Sequence, residues 1–170
     1  MLNMFPILFF CCSCMTSSLS LDEQIAYRVM GEFSKSMQGQ GLHAIGYGLK
    51  GDKSNNKLGV LDICFQTNQQ LNIESARKLI VENVNHFVIF LNDNKELQTY
   101  LTVFPATSKQ ISFSIRGKER LDNNPNYVEM AYTYENNIAY FTDSVAPPTH
   151  GLIHKETFEE AVAQLQNVKK

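Results

Sequence analysis

Between Asn72 and Leu101 runs the longest strongly periodic segment of the chain. Ile73, Ala76, Ile80, Val84 (or Asn83), Phe87 and Leu91 recur at steps of three and four, which sets them on one face of an α-helix. Leu79, Val88 and Phe90 widen that stripe, so the helix is expected to be deeply buried. Asn72 supplies an N-cap, and Glu74 sits in the first turn, where the helix dipole favours a negative charge. Asn92-Asp93-Asn94 interrupts the pattern before a further short helical turn from Lys95. A helix of this kind needs other elements to cover its apolar face, and the rest of the chain supplies short strands and shorter helices.

Leu21 to Gln38 reads as a first helix. Ile25, Val29, Phe33 and Met37 lie four apart, Ser20 is the candidate N-cap, and Gly39 and Gly41 end it. Two strands follow at His43–Lys50 and Leu58–Thr67, joined by the polar loop Gly51 to Lys57. In the first, bulky Ile45, Tyr47 and Leu49 alternate with Ala44, Gly46 and Gly48; the glycines miss the spacing of a phosphate loop and read as a strand approached closely by a neighbour. After the long helix come strands at Gln110–Arg116, Tyr127–Tyr134 and Ile138–Asp143, the last two turning at Glu135-Asn136-Asn137. That turn pairs Tyr132 with Phe141 and Tyr134 with Ala139, with Val128, Met130, Tyr132 and Tyr134 directed at the core. Ser144 to Gly151, with Pro147-Pro148, is a connector, and Lys155 to Val168 a last helix with the stripe Phe158, Ala161, Val162 and Leu165.

The resulting order, α-β-β-α-β-β-β-α, predicts an α+β fold: an antiparallel-rich sheet of five strands with helices packed on one face. The other face is expected to carry small and polar residues, among them Asp62, Cys64, Ser112, Ser114, Arg116, Glu129, Thr133 and Tyr140. No repeat or linker divides residues 21–170, which read as one domain; 170 residues are enough for a sizeable core.

Residues 1–20 differ in character, with no acidic or basic side chain. Met4 to Phe10 is a compact apolar run, too short to span a bilayer and of the length of a signal-peptide core. Cys11, Cys12 and Cys14 follow it. A lipoprotein leader places a cysteine after such a run with a small residue before it, as Ser13 precedes Cys14, although Cys11 stands where leucine is expected. On this basis Cys14 is the candidate lipidation site, Met15 to Ser20 a tether, and the product exported and membrane-anchored. The alternatives are palmitoylation of the same cluster, an ordinary cleaved signal, or a cytoplasmic chain beginning at Met15.

No local motif identifies an activity. A formal charge of −2 without a basic run argues against nucleic acid as a partner. His150 and His154 are four apart, but Pro148 and Gly151 break the helix a zinc pair would need, and no third ligand stands at a recognisable spacing. Cys64 has no nucleophile signature around it, no serine-hydrolase elbow is present, and no cofactor is indicated. The candidate ligand-binding cluster is Asp62, Arg116 and Glu129 with Tyr140, expected together on the open sheet face. The sequence thus suggests a non-catalytic binding or structural module, its partner a protein or small ligand. Its rivals are a small hydrolase-like enzyme with a dispersed site and a cytosolic partner-binding protein.

Overall fold

The structure, a computed structural model, describes residues 19–52, 57–118, 127–142 and 151–167. Cys14, the candidate lipidation site, His150 and Val168 lie outside the described residues. In chain order the elements are α1 (Leu21–Met37), β1 (Leu42–Asp52), β2 (Lys57–Thr67), β3 (Leu71–Asn72), α2 (Ile73–Asp93), α3 (Lys95–Gln98), β4 (Ile111–Arg116), β5 (Tyr127–Val128), β6 (Met130–Tyr134), β7 (Asn137–Phe141), β8 (Leu152–Thr157) and α4 (Phe158–Asn167).

The long helix forms as its periodicity dictates. Asn72 Oδ1 accepts from Ser75 N at 2.8 Å and Ser75 Oγ accepts from Asn72 N at 2.9 Å, closing a reciprocal cap. Ala76, Ile80, Val84, Phe87 and Leu91 are buried, and Leu79, Val88 and Phe90 pack beside them. Asn83 is buried as well; its side-chain amide donates to Leu79 O at 2.8 Å, which satisfies it within the helix. Beyond Asp93, Asn94 caps α3 through Leu97 N, and Asn92 exchanges two hydrogen bonds with the backbone of Ala106, fastening the segment after α3 to the end of α2. In α1, Ser20 is the N-cap, and Gly41, at φ 75°, closes the 3-10 turn that follows the helix.

The fold class is α+β, with a six-stranded sheet in place of the five strands expected. The order is β1-β2-β4-β6-β7-β8; β2 and β4 run parallel and every other neighbouring pair is antiparallel. The added strand is β8. Its six residues precede the last helix, which begins at Phe158 and not at Lys155 because Thr157 caps it: Glu160 N donates to Thr157 Oγ1 at 3.1 Å and Thr157 N to Glu160 Oε2 at 2.7 Å. β3 and β5 form a separate two-residue ladder. Against one face of the sheet lie α1 over β1 and β2, α2 over β4 and β6, and α4 over β7 and β8. One hydrophobic cluster joins them, running from Ile25 and Phe33 through Leu61, Phe65 and Phe113 to Ile138, Tyr140 and Phe158.

Three of the expected strand faces are corrected. In β6 and β7 the core side belongs to Ala131, Thr133, Ile138 and Tyr140, whereas Tyr132, Tyr134, Ala139 and Phe141 share the side away from the helices. The turn consists of Glu135 and Asn136 alone, both at positive φ (44° and 66°), so Tyr134 pairs with Asn137 and Tyr132 with Ala139. Bulk favours directing the tyrosines inward, but Thr133 wins the inner position: its hydroxyl accepts from Phe113 N at 2.8 Å and donates to Ile111 O at 3.3 Å. The space that leaves is filled by Ile138 and Tyr140 from the neighbouring strand. In β1 the register shifts between Ala44 and Gly46, so Ile45 is an extra residue and is 51% exposed, and Ala44 pairs with Phe65 and packs on the core.

Candidate functional site

The sheet face turned away from the helices consists of cross-strand rows fixed by the pairing. One row runs Gly46, Cys64, Ser114, Tyr132, Ala139, Lys155 from β1 to β8. The next runs His43, Gln66, Arg116, Met130, Phe141, Leu152. Over β1, β2 and β4 the face is small and polar, as expected. Over β6 and β7 it is aromatic, with Tyr132 and Phe141 stacked at a centroid distance of 5.5 Å and an interplanar angle of 4°. Asp62 lies across Gly48, where an added Cβ would stand 3.1 Å from Asp62 Oδ2; the bare glycine is what lets that carboxylate lie flat on the sheet.

The four residues expected to form a binding cluster do not converge. Asp62 pairs with Ser112 and Arg116 with Gln66, so the two are four positions apart, about 13 Å along the strands at 3.3 Å per residue. Glu129 stands at the break between β5 and β6, where its N–H donates to Phe141 O and its carbonyl accepts from Gly117 N. Tyr140 is on the helix side and fully buried. The cluster presupposed one shared face, and the inversion of β6 and β7 removes that premise. Among the described residues no three His, Cys, Asp or Glu side chains are grouped to hold a metal ion, and no helix is long and apolar enough to cross a membrane.

Titratable groups converge elsewhere. Glu156 on β8 is 5% exposed and sits where β7, β8, α2 and α4 meet. Arg77 Nε of α2 donates to both of its oxygens, at 2.8 and 3.1 Å. The Tyr140 hydroxyl of β7 donates to Oε1, and Gln164 Nε2 of α4 donates to Oε2 at 3.1 Å. His154 Nε2, buried and without a hydrogen bond, lies 3.7 Å from Oε2. The carboxylate therefore ties two helices to two strands.

Burial, then donation to Glu156 and the charge of that group, hold the Tyr140 phenol well above its ordinary 10.0. A raised folded-state value means that the folded protein retains a proton the unfolded chain gives up. Its contribution to stability is complete below 10.0 and is lost as the pH rises beyond it. Urea midpoints are expected to fall between about pH 9 and 11, and to fall less steeply in Tyr140→Phe. Parallel slopes for the two proteins would show that Tyr140 is not responsible.

A groove of about 590 Å³ opens between α2 and α4. Val81, Val162 and Leu165 line its apolar part, and Glu74, Lys78 and Glu82 line its charged part along α2. Its volume falls in the range of small-molecule sites. None of Arg77, Tyr140, His154 or Glu156 lines it.

The chain matches no protein-family model, no curated protein and no solved structure.

Two sequence signals bear on these sites. Arg77 stands between Ile73 and Ile80 at helical steps of four and three, a charge inside an apolar stripe, and such a charge calls for a buried partner. Val162 and Leu165 read as the core side of the last helix, yet they remain half-buried and line the groove, because α4 packs over β7 and β8 through Phe158 and Ala161.

Proposed function

We propose that this protein is a non-catalytic binding module, exported and held at a membrane through Cys14, which takes a small amphipathic molecule in the groove between α2 and α4. The observation that carries the binding role is the groove: an apolar floor of Val81, Val162 and Leu165, wide enough for such a ligand, with Lys78 between Glu74 and Glu82 to hold a polar end. The anchoring half of the proposal rests on the uncharged apolar leader and the Ser13-Cys14 step. Among the described residues the rival, a small hydrolase, finds a histidine beside an acid in the His154–Glu156 pair. Glu156 is buried with both oxygens already accepting hydrogen bonds, and the pair lies outside the groove.

Anilinonaphthalene sulfonate, an amphipathic fluorescent probe, tests the site. The protein is expected to bind it saturably, and Leu165→Glu, at a half-buried position, to weaken binding at least about tenfold, since a charge on an apolar floor must be desolvated. Unchanged binding by that variant, or none by the wild type, would refute the groove. The intact mass of protein from the membrane fraction tests the anchor: a chain beginning at Cys14 with added acyl mass is expected, and an unmodified soluble chain would refute it.

A further inference from the structure

Arg77 and Gln164 reach Glu156 from the two helices that wall the groove, and each stands next to a residue that lines it: Arg77 beside Lys78 on α2, Gln164 beside Leu165 on α4. Glu156 thereby fastens both walls to one buried carboxylate, and the spacing of the walls depends on both bonds. The start of α4 has further supports, the Thr157–Glu160 cap and the buried Phe158 and Ala161. Beyond Ala161 no described residue of α4 is fully buried. That half of the helix is held by the half-buried Val162 and Leu165 and by the bond of Gln164 to Glu156.

His154 stands beside this bond without sharing in it. Its Nε2 is buried, has no hydrogen bond and lies 3.7 Å from Glu156 Oε2, while its side chain as a whole is 37% exposed, so protons from solvent reach the ring. The ionisable groups around it are Glu156 on its own strand, Glu160 of α4, Tyr140 of β7 with ring centroids 5.5 Å apart, and Arg77 of α2 across Glu156. The oxygens of Glu156 are already committed. Oε1 accepts from Tyr140 and takes the shorter Arg77 bond; Oε2 takes the longer Arg77 bond and the Gln164 bond, both at 3.1 Å. A carboxylate oxygen has two lone-pair sites, so Oε2 has no room for a third donor. Protonation turns His154 Nε2 into a charged donor that closes the gap to about 2.8 Å, and a charge-assisted bond of this kind is about twice as strong as a neutral one. Of the two donors on Oε2, Gln164 is the uncharged one and gives way. We propose that His154 is a pH-sensitive positioning residue for the groove: its imidazolium replaces Gln164 on Glu156, the last turns of α4 come away from α2, and the groove loses its hold on a ligand. This rests on the groove as the binding site.

Histidines change charge between about pH 5 and 8, so the full chain is compared at about pH 7.5 and pH 5.5. Wild-type affinity for anilinonaphthalene sulfonate is expected to fall at least about fivefold at the lower pH, the worth of one ordinary hydrogen bond. His154→Gln, which removes the titrating group and does not line the groove, is expected to bind like the wild type at the higher pH and to keep that affinity at the lower. Gln164→Ala, which breaks the same bond without a proton, is expected to bind at least about fivefold more weakly at both. Amide hydrogen exchange, corrected for its intrinsic pH dependence, gives a readout that needs no ligand: peptides covering residues 162–167 are expected to lose protection at the lower pH in the wild type and not in His154→Gln. Loss of that protection in a protein that binds no probe at either pH would keep the switch and refute the groove. Probe binding with the same affinity at both pH values would keep the groove and overturn the switch. An equal fall in affinity in His154→Gln, or unchanged protection of α4 in the wild type, would also overturn it.

Discussion

Replacing Arg77 by methionine is expected to lower the stability of the folded protein by about 3–5 kcal/mol, the cost of leaving a buried carboxylate without its cation. The side chain of Glu156 is 3% exposed and that of Arg77 11%, so water reaches neither well enough to take the place of the missing partner. Tyr140 and Gln164 still donate to Glu156 in the variant, but neither carries charge. Replacing both members, Arg77→Met with Glu156→Leu, is expected to cost less than Arg77→Met alone, because the charge that needs compensation is gone. The Arg28–Glu96 pair between α1 and α3 provides the contrast. Both of its side chains are more than half exposed, and Arg28→Ala is expected to change stability by less than about 1 kcal/mol. Urea unfolding at neutral pH measures all three. A loss below about 1 kcal/mol for Arg77→Met would mean that water reaches Glu156 once the arginine is gone.

Phe87→Ala is expected to cost a similar amount, about 3–5 kcal/mol, by a different route. Phe87 is fully buried, and its ring lies 4.5 Å from that of Phe33, which also meets Phe65 at 6.5 Å and Phe90 at 5.6 Å. These rings join α1, α2 and β2 at the middle of the core. Emptying the Phe87 position leaves a cavity bounded by elements already fixed by the sheet, which limits how far they can close on it. Ile89, two positions along the same helix and 60% exposed, is the control; Ile89→Ala is expected to stay within about 0.5 kcal/mol of the wild type. A small effect of Phe87→Ala would place another face of α2 against the core.

The parts of this fold that were legible in the sequence are those where one local pattern decides the outcome. α2 has seven buried residues, Ala76, Ile80, Val84, Phe87 and Leu91 among them at steps of three and four, and a capping asparagine, and no other arrangement hides them. α1 and the β1–β2 hairpin follow from equally local signals. The faces of β6 and β7 were not legible, because both alternating sets contain tyrosines and apolar residues. The choice rests on where the Thr133 hydroxyl finds partners on β4, a contact across 20 and 22 positions of sequence. β8 was hidden because its alternation is brief and runs directly into a helix. The expected site failed for the same reason as the faces: Asp62 and Arg116 were rightly assigned to the outer side, but strand register, which sequence does not display, keeps them apart. Glu156 and Arg77 are 79 positions apart, and only the closing of the sheet brings them together.

The parallel pairing of β2 with β4 bears on the order in which the chain assembles. The β1–β2 and β6–β7 hairpins form from neighbouring residues and close quickly. Joining them requires the stretch between Thr67 and Ile111, roughly 40 residues, to fold back as a crossover before a single β2–β4 bond is made, and the entropy of closing that loop is lost before those contacts compensate for it. α2 occupies half of that stretch and lies against β4 and β6. Docking of this helix is therefore expected to be the step that turns two independent hairpins into one sheet, and to set the rate of folding.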